Sequence, residues 1–367
     1  MKVPVATPDI TSDDVKKVSA CVKSGWVSGI SPYVEEFEEK FAKWNGSEYA
    51  VATGSGTTAL HLALAALELK PGDEVLMPSF TMIASANACA YLGVKPVFCE
   101  IEADTWCIDV EDAERRITDK TKGIMPVHVY GHPCDMGAIQ ELAFNEDLYI
   151  IEDCAEAHGA QYKRKNTGTL GDVGCYSFYA NKIITTGEGG MITTDEQEVA
   201  ERATWLRAHA FGRDGKHYWH PEIGYGYRMS GMQAALGTSQ LERIDYYINK
   251  RQINAWYYKS ALKEFEESGA FTLPVQRKGY SNVYWMFSII LNNPAIDRNH
   301  LIDFLEKKGI ETRTFFYPLH ELPPYLTDDV MSITDRISQR GMNLPSGNQL
   351  TNEQIEYVCE SLREYFP

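Results

Sequence analysis

The chain has 367 residues, room for two domains or for one large α/β domain carrying a smaller one, and its 44% hydrophobic and 23% charged composition is that of an ordinary globular protein. Thirty-five basic against fifty-one acidic side chains leave a formal charge of -16, which repels polyanions and, without a local basic patch, argues against nucleic acid as a partner. Eight cysteines lie scattered with no C-x-x-C pair and no zinc-type spacing, so they read as reduced core residues and no metal site is expected.

At the N-terminus, MKVPVATPDITSDDVKK sets prolines and aspartates where a secretory leader needs an apolar core, which points to the cytoplasm. ATGSGTTALHLALAAL then runs small and hydroxyl residues into an amphipathic helix beginning near Thr57. Ser55 or Thr57 either caps that helix or opens a phosphate cradle of free N–H groups approached closely past glycine. Short apolar runs follow: EVLMP, PVFCEI, GIMPVHVYG, LYIIEDC, DVGCYSFY and GGMITTD, separated by helical patterns such as TMIASANACAYLG. That alternation predicts parallel strands buried on both faces, hence a three-layer α/β/α domain. The uncharged SFTMIASANACAYLGV is short for a membrane span and reads as a buried helix, so no membrane role follows. From Leu241 a long helical stretch, LERIDYYINKRQINAWYYKSALKEF, leads out of this domain. Beyond it come a strand-like VYWMFSIIL, a helix HLIDFLEKKG ended by Gly309, a strand-like IETRTFF and a helix NEQIEYVCESLREYF. Residues 1–245 are therefore expected to form the large domain and 246–367 a small α+β domain.

Ligands of open α/β sheets sit at the carboxyl ends of strands, which makes the residues closing each run informative. LYIIEDCAEA ends with Glu152 and Asp153, followed by Glu156. SFYANKIITTGEGG places Lys182 among Phe178, Tyr179, Ile183 and Ile184; it is either a solvated surface lysine or a desolvated amine made nucleophilic by burial. Arg228, in GYGYRMSGMQAALG, is either an exposed helix-start residue or part of a site. Together the parts suit pyridoxal phosphate (PLP), which needs an amine to capture its aldehyde, a carboxylate to keep its ring nitrogen protonated, and a phosphate cradle. Lys182, Asp153 and the Gly56–Thr57 turn supply them.

With SGWVS, GTTALHLAL, PGDEV, MPVHVYG, IEDCAEAHGA, GDVGCYSFYANKIITTGEGGMITT, YRMSGMQAA and NLPSG in this order, the whole chain resembles the sugar aminotransferases of the DegT/DnrJ/EryC1/StrS family, which have the type I aspartate aminotransferase fold. The segments MPVHVYGHPCDM, NKIITTGEGGMITT and HYWHPEIGYGYRM are most similar to the members that aminate C4 of a GDP-linked 4-keto-6-deoxymannose, with L-glutamate as donor. The resemblance implies that Lys182 binds the cofactor covalently and then moves protons, that Asp153 pairs with the pyridine nitrogen, and that Glu156 approaches the ring hydroxyl. It implies phosphate binding by Gly56, Thr57 and Ser177, with Arg228 reaching the phosphate from the neighbouring subunit of a homodimer that shares its active sites. Met82 falls where relatives commonly place an aromatic ring over the cofactor, so a thioether packs there instead. Trp26, Tyr317 and His320 lie in segments, SGWVS and FFYPLH, that border the sugar site in relatives. No role is implied for His158. Alternatives are a UDP- or dTDP-linked ketosugar aminated at C4 or C3, a 3-dehydratase, against which the lysine at position 182 argues, and a non-catalytic regulatory protein. Cell-surface polysaccharide is the family's usual destination.

Overall fold

The computed structural model describes residues 1–212 and 218–366. The main sheet is built from β1 (Tyr49–Thr53), β2 (Glu74–Pro78), β3 (Lys95–Cys99), β4 (Thr121–Ile124) and β5 (Tyr149–Asp153). After a hairpin of β6 (Gln161–Tyr162) and β7 (Lys165–Asn166), it is completed by β8 (Val173–Ser177) and β9 (Gly190–Thr194). The seven strands lie in the order β1-β9-β8-β5-β4-β2-β3. In this sheet β9 alone runs opposite to the other six. Residues 178–189 join β8 to β9 without a helix, and a parallel return would need such a crossover.

Side chains alternate between the faces with the period of two that a strand imposes. Val75, Met77, Ile151, Val173 and Cys175 pack under the helices Gly56–Ala66, Ala84–Tyr91 and Gln197–Leu206. On the opposite face Leu76, Ile124 and Ile150 meet the helix Met136–Glu146. Ala52, Tyr176 and Met191 meet the helices Pro32–Asn45 and Gly231–Leu241. Both faces are dry, which is why the strands read as unbroken apolar runs, and the three-layer α/β/α arrangement is the one expected.

Beyond the main sheet come β10 (Phe271–Thr272), β11 (Tyr280–Ser281), β12 (Phe287–Leu291), β13 (Arg313–Thr314) and β14 (Gly341–Leu344). Four of them form an antiparallel sheet, β10-β12-β14-β13, with a core shared by the helices Arg298–Lys307 and Asn352–Tyr365. Val3, paired with Ile310, belongs to this core, whereas β11 pairs with β6. The stretch expected as one helix after Leu241 is the helix Ile244–Ala261, then Lys263–Glu267 beyond Leu262. Its Tyr247 enters the main-sheet core and its Tyr258 the C-terminal core.

Strands are shorter than the apolar runs that announce them, for local reasons. β4 stops before Pro126, which has no N–H to donate, and Tyr130 turns left-handed at φ 51. VYWMFSIIL becomes a strand only from Phe287, because Tyr284 sits at φ 49. β1 holds two alanines among its five residues and offers no apolar run to read. Among the described residues no helix is long and apolar enough to cross a membrane.

Candidate active site

Strand ends converge on one crevice. β5 delivers Asp153, β8 delivers Ser177, and the loop that follows carries Lys182. That loop is tied back on itself: Phe178 N–H donates to Gly189 O at 2.8 Å, Thr186 N–H and the Thr185 hydroxyl donate to Phe178 O at 3.0 and 2.9 Å, and Lys182 N–H donates to Tyr179 O at 2.9 Å. Two glycines of GEGG are required by this path. Gly187 has φ 82, and a Cβ on Gly190 would collide with the Ser55 carbonyl.

The Lys182 amine points inward. Its Nζ lies 3.7 Å from Glu156 Oε1 and 3.8 Å from the centroid of the Trp285 ring. Burial dominates and lowers its pKa against the opposing pull of Glu156 and Asp153. Glu156 Oε2 accepts the Tyr130 N–H at 2.8 Å, and burial pushes this carboxyl up to about 7. Asp153 accepts the Ser85 hydroxyl at 2.8 Å and the Ala155 N–H at 3.1 Å. Burial raises its pKa too, and it has no ion pair among the described residues.

Glu152 turns away from this crevice. Its Oε1 accepts from Leu170 and Gly171 N–H, and its Oε2 from Gly168 N–H and His128 Nε2. His128, Glu152 and Cys154 could in principle share an ion, but the carboxylate is already saturated by donors from the chain. His132 binds the Pro133 carbonyl.

Opposite the lysine, β1 runs into the helix Gly56–Ala66. Ser55 caps it, its hydroxyl accepting from Thr58 N–H and its carbonyl from Ala59 N–H, so the cap expected here is real. Gly56 and Thr57 N–H are left without acceptors among the described residues, at the positive end of the helix. Gly56 packs so tightly on Ser177 that a Cβ would lie 2.7 Å from the serine Cβ. The glycine therefore brings the helix start onto the end of β8.

Of the remaining expected residues, Arg228 bridges Thr53 and lies against Gly29 of the SGWVSG turn, with its guanidinium unpaired among the described residues. Met82 is 53% exposed in the turn that leads to Ser85. Trp26 and Tyr317 are 53% and 63% exposed. His320 is 3% exposed, with Nδ1 2.7 Å from the Ser79 hydroxyl and Nε2 3.2 Å from Asp335. His158 is buried against Tyr176 and Phe178, its ring nitrogens without a close hydrogen-bond partner among the described residues, and burial holds its pKa at about 3. The motif HYWHPEIGYGYRM begins at His217, outside the described residues. Ser85, Tyr130 and Trp285 also enter the crevice. None carries a local signal, since each arrives through a turn or a left-handed residue.

A buried carboxylate without a cation suits a protonated ring nitrogen, and a helix start with open N–H groups suits a phosphate. A buried lysine whose pKa is lowered by loss of water suits an aldehyde. The residues present thus fit pyridoxal phosphate, and the fold that holds them is that of the PLP-dependent aminotransferases. The chain belongs to the DegT/DnrJ/EryC1/StrS aminotransferase family, whose model matches residues 8–363. Among its relatives, the GDP-perosamine synthase of Escherichia coli O157:H7 is 43% identical over 99% of this chain and 98% of its own. That of Vibrio cholerae is 40% identical over 99% of both. Among solved structures, the aminotransferase from Psychrobacter cryohalolentis superposes with a TM-score of 0.92 at 30% identity, covering 98% of each chain. DesV of S. venezuelae superposes with a TM-score of 0.91 at 32% identity, covering 99% of this chain and 98% of its own.

Proposed function

We propose that this protein moves the amine of L-glutamate to C4 of GDP-4-keto-6-deoxymannose, forming GDP-perosamine, as a cytoplasmic homodimer. The observation that carries the aminotransferase chemistry is the inward-pointing Lys182 amine, buried beside Glu156 in the loop after β8, the strand next to the one that ends in Asp153. The sugar is supported by the names of three relatives that share 40–43% identity over nearly the whole chain.

When bound, pyridoxal phosphate supplies an electrophilic aldehyde and a protonated ring that withdraws electrons from a carbon losing its proton. Asp153, oriented by the Ser85 hydroxyl, would hold the charge on the ring nitrogen. Lys182 Nζ would carry the proton moved between the reacting carbons, a task that favours an amine with a lowered pKa. Glu156, held by the Tyr130 N–H, would face the ring hydroxyl. Gly56, Thr57 and the Ser177 hydroxyl would bind the phosphate oxygens, with Arg228 adding its charge from the neighbouring subunit. Met82 would pack on the cofactor face, with Trp26, Tyr317 and His320 bordering the sugar nucleotide.

Incubation with 15N-glutamate and the GDP-, UDP- and dTDP-linked 4-ketosugars in turn tests the proposal. Labelled aminosugar is expected from the GDP substrate, with kinetics of the ping-pong type. Amination confined to a UDP or dTDP sugar, or a deoxysugar that gains no nitrogen, contradicts it.

A further inference from the structure

The lysine loop is gripped from outside. Trp285, in the segment between β11 and β12, lays its indole over Lys182 Nζ with 3.8 Å to the ring centroid. The indole N–H donates at 2.9 Å to the carbonyl of Asn181, the residue before the lysine. On the other side Asn348 donates through Nδ2 to the carbonyl of Ile183, the residue after it, at 3.0 Å. Arg251 joins the two holds: its Nε donates to Asn348 Oδ1 at 2.7 Å, and one terminal nitrogen donates to the carbonyls of Trp285 and Ser346 at 2.6 and 3.0 Å. Arg251 is buried and has no carboxylate partner among the described residues. A guanidinium is an expensive way to fix two carbonyls and an amide unless their placement matters.

Trp285 also stacks on Tyr130, whose N–H orients Glu156, and Glu156 lies 3.7 Å from the same lysine nitrogen. The backbone reaches this arrangement through two left-handed residues, Tyr130 and Tyr284, a conformation that side chains of this bulk adopt only when their surroundings impose it.

We infer that Trp285, braced by Arg251 and Asn348, is a positioning residue for Lys182: its indole face holds the ε-ammonium whenever the amine is free, and its N–H fixes the backbone from which that amine projects. The inference rests on the reading of Lys182 as the cofactor lysine, and it adds a hold that keeps the amine in one place between its covalent engagements. An aromatic face attracts the charged form. Its loss, with Glu156, Asp153, His158 and Arg251 unchanged around the lysine, lowers the pH at which the amine gives up its proton.

The apo protein allows this to be measured without turnover. Reductive methylation at Lys182, followed by peptide mass across pH, gives the midpoint for wild type, Trp285→Phe and Trp285→Leu. Cation–π contacts of ~0.5–2 kcal/mol translate to a fall of about 0.4–1.5 pH units for Trp285→Leu, and to a smaller fall for Trp285→Phe. Should the leucine variant not fold, wild-type protein grown on fluorinated tryptophans keeps the shape and weakens only the ring's charge distribution, and the midpoint is expected to fall stepwise with fluorination. A midpoint that stays fixed across these proteins overturns the inference. Borohydride fixation of pyridoxal phosphate on wild type separates the two claims. A labelled Lys182 with unmoved midpoints defeats only the indole hold, whereas an unlabelled Lys182 defeats the reading of the lysine.

Discussion

Burial sets the chemistry of the crevice side chain by side chain. Lys182, Asp153 and Glu156 are each pushed toward the neutral form by loss of water, and each is drawn back toward charge by its neighbours. His158 is the extreme case, an imidazole that burial holds in the neutral form. Its pKa is depressed from 6.5 to about 3, so the unfolded chain takes up this proton before the folded one does. The stability it leaves intact above pH 6.5 is therefore lost as pH falls toward 3, at up to about 1.4 kcal/mol per pH unit. Urea midpoints for His158→Phe at pH 7, 5 and 4 are expected to fall less steeply than those of wild type; parallel slopes would show that the histidine is not the acid-sensitive group. Lys182 and Asp153 were legible in the sequence because each closes an apolar run, where a charge needs a reason. Trp285 and Tyr130 were not, because their contacts depend on left-handed backbone at Tyr284 and Tyr130 that no local pattern announces.

Elements meet at glycines. β9 passes the start of the helix Gly56–Ala66 so closely that Gly190 has no room for a side chain, and Gly56 rests on Ser177 in the same way. Gly190→Ala is expected to destabilise the protein by about 1–3 kcal/mol and to weaken cofactor binding together with it, because the alanine must push away the helix start that offers the free N–H groups. Thermal unfolding and titration with pyridoxal phosphate check this, and unchanged affinity alongside lowered stability would separate β9 from the cradle. GEGG signalled the turn, and the helix was expected one residue late, near Thr57 instead of Gly56. The reversal of β9 went unmarked, because its own residues, GGMITT, read alike in either direction; the missing helix before it was the available clue.

Across the whole molecule, the lysine loop belongs to the main sheet and its clamp to the segments around β12 and β14, with the helix Ile244–Ala261 carrying Arg251 between the two cores. Order at the crevice therefore depends on both ends of the chain, as do the pairing of Val3 with Ile310 and of β11 with β6. A cofactor bound only by the folded form adds stability by mass action, about 2.7 kcal/mol at a hundredfold excess over Kd. Removal of pyridoxal phosphate should thus lower Tm, and re-addition should restore it; a Tm indifferent to the cofactor would mean that the crevice is not its site. The α/β class and most of the strands could be read from alternating runs. The pairing of β11 with β6 could not, since two-residue strands leave no period to detect.

The most direct test is chemical. Purified holoprotein is reduced with borohydride, digested, and its peptides searched by mass for the pyridoxyl group. A single modified peptide spanning SFYANKIITTGEGG, with the group on Lys182 and none in Lys182→Ala, is the expected result. A label on any other lysine, or a holoprotein that yields no label at all, would contradict the assignment on which the chemistry of this crevice depends.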